Sequence, residues 1–245
     1  DHLILDETAF YKVCLEAMNF VQKHKALITL GIKPSYPNTG YGYIQFDQQP
    51  VSDNVLKVKT FTEKPNVEMA KTFVQSGEFL WNAGIFVWRV KNIIHAFEKY
   101  LPEMAEVFES EKAYFNSAQE KEAITRIYPL CTNISIDYGI MEKADNVYII
   151  PSSFGWSDLG TWNSAYENME RDYLGNAVAG NHVVVIDSTK CMVHATNEKL
   201  LVLQGLDDFI VVDTKDVLLI CKKDREQEIK EYVAEVKRNK GEKFL

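Results

Sequence analysis

Residues 9–32 read AFYKVCLEAMNFVQKHKALITLGI, and the change of pattern halfway along decides the fold class. From Asp6 to His24 the apolar residues Phe10, Val13, Cys14, Ala17, Met18 and Val21 recur at intervals of three and four. That is the period of an amphipathic helix. ALITLGI then follows as a short unbroken apolar run, which suits a strand buried on both faces. A helix leading into a buried strand is the rhythm of an α/β sheet.

The same rhythm extends outward. GYGYIQF (40–46) and VLKVKTF (55–61) read as strands, with QPVSDN as the turn between them. Residues 66–76 read as a helix, with Asn66 as N-cap, Glu68 in its first turn and Gly77 just past its end. FLWNAGIFVW (79–88) returns as a strand. A helical run from Lys91 to about Phe115 breaks near Pro102, and QEKEAITRIY (119–128) adds another helix. SIDYGIMEKA (135–144) is predicted as a short helix, VYIIPSSF as a strand and TWNSAYENMERD as a helix. Beyond Gly175 the texture changes. Short apolar strands HVVVID, CMVHA, LLVLQG, FIVVD and VLLIC follow at even spacing, separated by turn residues. That predicts a small all-β unit, a boundary near residue 170, and domains at 1–170 and 171–245. Residues 224–239 read as a terminal helix with Ile229, Val233 and Val236 on its packed side.

Composition limits the function classes. With 46% hydrophobic and 25% charged residues, the 245-residue chain has the balance of a folded, soluble protein, and no segment reaches the apolar length of a membrane span. Lys and Arg total 27 against 35 Asp and Glu, and the net charge of −8 argues against a nucleic-acid partner. The four cysteines, Cys14, Cys131, Cys191 and Cys221, are widely spaced and read as core thiols of a reducing compartment.

No His/Cys cluster has metal-ligand spacing, and neither a P-loop nor a Gly-x-Ser-x-Gly elbow occurs. The polar residues that stand out lie in short motifs. In TGYGYI (39–44), Gly42 marks either a bulge or a close approach of backbone to a ligand. In FTEKP, Glu63 and Lys64 stand at a strand end before a proline, as a pair for a sugar hydroxyl and a phosphate or as a solvated ion pair. In WNAGIFVW, Asn82 and Gly84 sit among bulky apolar residues, where an amide needs partners from ligand or backbone. In SIDYGIMEKA, Asp137 either caps or pairs, with Lys143 nearby. In FGWSDLGTW (154–162), Asp158 either caps the following helix or binds a ligand.

Taken in order, DHLI, TGYGYI, FTEKP, WNAGIFVW, SIDYGIMEKA and FGWSDLGTW resemble the sugar-1-phosphate nucleotidylyltransferases, and among them the mannose-1-phosphate guanylyltransferases, along essentially the whole chain. The resemblance implies the C-terminal part of a Rossmann-like nucleotidyltransferase domain, a mixed sheet with flanking helices, then a left-handed β-helix-like domain and a terminal helix. It implies GTP and mannose 1-phosphate as substrates, giving GDP-mannose and pyrophosphate, in the cytoplasm. It also implies Asp1 and Asp158 as holders of magnesium, and Lys64 on the sugar phosphate. Glu63 and Asn82 fall on the sugar hydroxyls, Gly42 and Gly84 beside the sugar, and Asp137 and Lys143 near the phosphate. A homo-oligomer through the β domain is a further implication. The family's glycine-rich triphosphate loop, with its arginine and lysine, does not occur in these residues. The chain alone is therefore expected to have little or no activity, and the parent, lacking an isomerase module, to be monofunctional. Two alternatives stay open: a nucleotidylyltransferase for another sugar 1-phosphate, and a non-catalytic regulatory relative that binds nucleotide sugars.

Overall fold

A computed structural model describes residues 2–196 and 198–244, which divide into two compact units: Ile4–Trp156, and the residues from Ser157 onward with the first few of the chain. Strands β1 (His2–Ile4) and β7 (Trp156–Asp158) pair as a small two-stranded sheet.

In the first unit, α1 (Glu7–Lys23) starts where Asp6 accepts the Ala9 N–H at 2.9 Å, the expected N-cap arrangement. Five strands then close into a barrel: β2 (Leu27–Ile32), β3 (Tyr43–Ser52), β4 (Val55–Thr62), β5 (Phe79–Trp88) and β6 (Val147–Ser152). Around the barrel the order is β2–β5–β3–β4–β6, with β2 and β6 parallel and every other pairing antiparallel. The buried run of β2 serves two cores at once. Ile28 and Leu30 pack with Ala17, Phe20 and Val21 of α1, while Leu27 packs with Ile44, Phe61 and Ile149 on the other side. This two-sided burial is why ALITLGI shows no polar alternation.

The other helices of this unit are α2 (Val67–Ser76), α3 (Val90–Tyr100), α4 (Pro102–Ser110) and α5 (Glu120–Ile127). Asn66 caps α2 through the Met69 N–H, and Gly77 ends it at φ +69°. Pro102 opens α4, so the proline both ends α3 and starts the next helix. The turn expected across QPVSDN is shorter than the sequence suggests. β3 runs on through Ser52 and the chain reverses at Asp53, at φ +40°. Its pairing with β4 shifts register around Pro50, which the ladder tolerates because the strand is irregular there.

The second unit begins with α6 (Trp162–Asn168) and continues through β8 (Ala177–Ala179), β9 (Val183–Ile186), β10 (Met192–Ala195), β11 (Leu201–Gln204), β12 (Phe209–Asp213) and β13 (Leu218–Lys222) to α7 (Ile229–Lys240). β8, β10 and β12 stack in parallel, as do β9 and β11, so successive turns of chain lie one over another in a β-helix-like coil. β13 reverses and pairs antiparallel with β12, ending the stack. Cys191, Val193 and Val211 fill the coil with Val183, Leu201 and Leu203. The opposite face, Ala177, Met192 and Ile210, packs against Trp162 and Tyr166 of α6 and Ile229 and Tyr232 of α7. The packed side of α7 thus runs through Tyr232, and the expected Val233 is 48% exposed. Cys191 and Cys221 are buried thiols, as expected, and all four cysteines are free. No helix among the described residues is long and apolar enough to cross a membrane.

Candidate sugar-phosphate site

Four of the motifs, TGYGYI, FTEKP, WNAGIFVW and SIDYGIMEKA, lie apart in sequence and meet beside the barrel of the first unit. β4 ends at Thr62, and Glu63 and Lys64 follow directly. Gly42 immediately precedes β3, and its carbonyl accepts the Asn82 N–H of β5 at 2.8 Å. The Glu63 side chain is only 8% exposed. It lies so close to Gly42 that a Cβ there would stand 2.4 Å from Glu63 Oε2. Glycine at position 42 is thus a matter of space, because any side chain would displace this carboxyl.

Oε1 of Glu63 meets the Lys64 ammonium at 3.3 Å, while Oε2 is buried with no hydrogen-bond partner among the described residues. Burial first, and the negative charge of Asp137 second, push the Glu63 carboxyl above the usual carboxylate range; Lys64 pulls it back, and Glu142 pushes it up again. The Lys64 side chain is half-exposed. Its backbone stands at φ +48°, in the left-handed region, and its N–H donates to the Tyr41 carbonyl at 3.2 Å. Tyr41 is fixed in turn by edge-on packing against Trp81 and Trp156.

Asn82 is buried and its amide is bonded in three directions. Oδ1 accepts from Thr29 Oγ1 at 2.7 Å and from the Gly84 N–H at 3.2 Å, and Nδ2 donates to Asp137 Oδ1 at 2.9 Å. Gly84 stands at φ +67°, where β2 and β5 lose register between Thr29 and Gly31. A glycine in the left-handed region at such an irregularity has the form of a bulge. Asp137 begins a π-helix, Asp137–Met141, where a short ordinary helix was expected; its carboxylate pairs with Asn82 instead of capping. Lys143 lies just beyond that π-helix on the exposed surface, and no contact among the described residues joins its side chain to the cluster. Sequence reasoning missed two residues: Thr29, which orients the Asn82 amide, and Glu142, whose carboxylate accepts the Glu63 N–H at 2.9 Å. The second lies inside a motif already singled out.

In the second unit, Asp158 accepts the Gly160 N–H at 2.9 Å, which closes the turn ahead of α6. It does not cap that helix. Thr161 does, in a reciprocal capping box with Ser164, and Glu226 accepts the Asn163 N–H at 3.0 Å. Asn168 holds the start of the same turn through Ser157 at 2.9 Å. Asp1, the partner expected for Asp158 around magnesium, lies outside the described residues. Among the described residues no group of three or more His, Cys, Asp or Glu is arranged to hold a metal. The donor set still suits magnesium, because that ion is satisfied by one or two hard carboxylates with water and phosphate oxygens, and Asp158 is a partly exposed carboxylate of that kind.

Depth alone does not locate this cluster. A cavity of about 660 Å³, lined by Lys12, Glu16, Lys23, His24 and Asn54, lies elsewhere on the first unit and contains none of the candidate residues.

Known proteins resemble the chain in sequence and in fold. Residues 1–173 match the Nucleotidyl transferase family, and residues 180–236 match the MannoseP isomerase/GMP-like beta-helix domain. The chain is 34% identical over 241 residues to alginate biosynthesis protein AlgA of Pseudomonas aeruginosa, covering 96% of this chain and 49% of AlgA. It is 32% identical over 245 residues to mannose-1-phosphate guanylyltransferase of Escherichia coli, covering 97% of this chain and 50% of that protein. The chain therefore spans about half the length of these relatives. The crystal structure of mannose-1-phosphate geranyltransferase from Thermus thermophilus superposes with a TM-score of 0.77 at 28% identity, over 97% of this chain and 68% of that one.

Proposed function

The chain belongs to the Nucleotidyl transferase family over residues 1–173, and from that premise we propose that it supplies the sugar-phosphate side of a guanylyl transfer to mannose 1-phosphate. The observation that carries this is the Glu63–Lys64 pair: a buried carboxyl with one unpartnered oxygen, next to a half-exposed ammonium. A buried acceptor without a donor is costly unless a ligand completes it, and a sugar hydroxyl does so. An adjacent lysine suits the phosphate of the same small molecule. The choice of mannose and of the guanylyl group follows the name of the E. coli relative.

In the reaction, an oxygen of the sugar phosphate attacks the α-phosphorus of GTP, the bond from that phosphorus to the bridging oxygen breaks, and pyrophosphate leaves. Such transfers depend on positioning and charge neutralisation. Lys64 holds and partly neutralises the attacking phosphate. Glu63 fixes the sugar by its hydroxyls, Gly42 leaves room for the Glu63 carboxyl and by family likeness stands beside the sugar, and Asn82 with Gly84 and Asp137 supports Glu63. Lys143 is assigned to the phosphate side by family likeness alone. Asp158, with Asp1, would hold magnesium, which when bound supplies charge neutralisation between the nucleotide and sugar phosphates. The proposal includes a functional division at 1–170 and 171–245, a cytoplasmic location, self-association through the β-helix-like part, and little or no turnover by the 245 residues alone.

Calorimetric titration of the chain with mannose 1-phosphate, glucose 1-phosphate and inorganic phosphate tests the reading. Mannose 1-phosphate should bind best. Lys64→Ala should lose at least about tenfold for both sugar phosphates, the worth of one charge-assisted contact, and Glu63→Ala should lose the preference between the sugars. Absence of binding, or unchanged binding in both variants, would sink it.

A further inference from the structure

Of the three carboxylates in this cluster, Glu63, Asp137 and Glu142, the last is the one to which neither motif spacing nor family likeness gives a task. It follows the π-helix Asp137–Met141 and accepts the Glu63 N–H at 2.9 Å. Tyr138, within the same π-helix, donates its hydroxyl to the Glu63 carbonyl at 3.4 Å. A single wide turn of helix therefore grips both backbone polar groups of Glu63. Wide turns of this kind are uncommon and are frequent at functional sites, where they re-aim side chains.

Lys64 explains what the grip is for. It stands at φ +48° directly before Pro65. A residue preceding proline is normally driven to extended backbone, and a non-glycine residue in the left-handed region persists only where its surroundings over-determine it. Three hydrogen bonds do so here: Glu142 and Tyr138 on Glu63, and the Tyr41 carbonyl on the Lys64 N–H. Released from them, the turn relaxes toward extended backbone, and the angle between the Glu63 carboxyl and the Lys64 ammonium changes with it.

We infer that Glu142 is a positioning residue for sugar-phosphate binding: its carboxylate locks the Glu63–Lys64 turn in the left-handed conformation that aims both side chains at one ligand. The inference rests on the assignment of that pair to a sugar phosphate. It does not need Glu142 to touch the ligand. The competing role, an exposed carboxylate that adds only general stability, predicts loss of melting temperature without a selective effect on the turn.

Two readouts on the 245-residue chain separate these roles, using Glu142→Ala, which removes the acceptor, and Glu142→Gln, which keeps an acceptor oxygen without the charge. In ligand-free protein, amide exchange followed by NMR should speed up by at least about tenfold at Glu63 and Lys64 in the alanine variant, with Gln restoring most of the protection. Titrated with mannose 1-phosphate, the alanine variant should bind at least about tenfold more weakly and the Gln variant within about threefold of wild type. Unchanged exchange in Glu142→Ala, a Gln variant as impaired as Ala, or full binding despite a loosened turn would each overturn the inference. Wild-type chain that fails to bind mannose 1-phosphate but shows the expected exchange pattern counts against the functional assignment alone, and supports Glu142 as the lock of this turn.

Discussion

Replacing Glu63 by Gln tests the electrostatics of the cluster without any ligand. The side chain is 8% exposed, one of its oxygens lacks a partner, and it faces the charges of Asp137 and Glu142 with only the half-exposed Lys64 to oppose them. Its carboxyl is held above the usual range, so the folded state keeps this proton to a higher pH than the unfolded chain does. Stability from this group is therefore complete below the ordinary glutamic acid value and is lost as pH rises through the folded one. Gln keeps the size, removes the charge, and turns an amide donor toward carboxylates that accept it. Relief of the buried, unpartnered oxygen is worth about 1–3 kcal/mol, and the lost pairing with a half-exposed lysine costs about 0.2–1 kcal/mol. The net is a gain of about 1–2 kcal/mol at about pH 8, or a melting temperature raised by about 4 °C for a chain of this size. Scanning calorimetry of both proteins at about pH 8, 6 and 4 checks this, with the difference shrinking toward pH 4 as wild-type Glu63 takes up its proton. A variant that melts no higher than wild type at about pH 8, or a difference that stays constant across the series, refutes the reasoning.

Gly42→Ala puts a Cβ 2.4 Å from Glu63 Oε2 and 3.2 Å from Asn82 Cβ; urea unfolding should show a loss of about 1–3 kcal/mol, the usual range for overpacking. Asn82→Asp keeps the acceptor used by Thr29 and Gly84 but sets a carboxylate against Asp137 Oδ1 in place of the 2.9 Å donor. It should cost about 2–4 kcal/mol near neutral pH, and a urea midpoint that fails to recover in mild acid would contradict the assigned amide orientation. Thr161→Ala removes one half of the capping box with Ser164. It should cost about 1 kcal/mol and speed amide exchange at Ser164, with the Asn163 N–H staying protected by Glu226.

The parts of the fold legible in the sequence are those whose signal is local. Periodicity locates α1, capping residues locate both ends of α2, and the even spacing of short apolar strands locates the coil of the second unit. Closure of the barrel is not legible, because it depends on β6 lying beside β2, across more than a hundred residues of chain, and no local pattern encodes that pairing. The span of β3 is hidden because Pro50 reads as a turn residue, whereas the ladder accommodates it by slipping register. On α7, Val233 fits the expected stripe, but Tyr232 is the side chain that reaches the core.

In the cluster itself, the residue types are legible and their division of labour is not. Asn82 stands out as an amide among tryptophans, which implies partners; that these are Thr29, Gly84 and Asp137 requires the barrel to bring β2, β5 and the π-helix together. Glu142 gives no signal, since an exposed glutamate after a helix is ordinary. Its effect appears only with the balance of charge. Glu63 feels the negative charges of Asp137 and Glu142 and the positive charge of Lys64, so a phosphate dianion brought to this cluster meets more negative charge than positive if every carboxyl is ionised. Two features reduce that opposition: burial and Asp137 raise the Glu63 carboxyl above the usual range, and Asp137 and Glu142 each accept a hydrogen bond from a neutral N–H, of the Asn82 amide and the Glu63 backbone. Burial first and the charge of Asp137 second thus disfavour the charged form of Glu63, which on the proposed function weakens the negative charge standing nearest to Lys64 as it meets the phosphate.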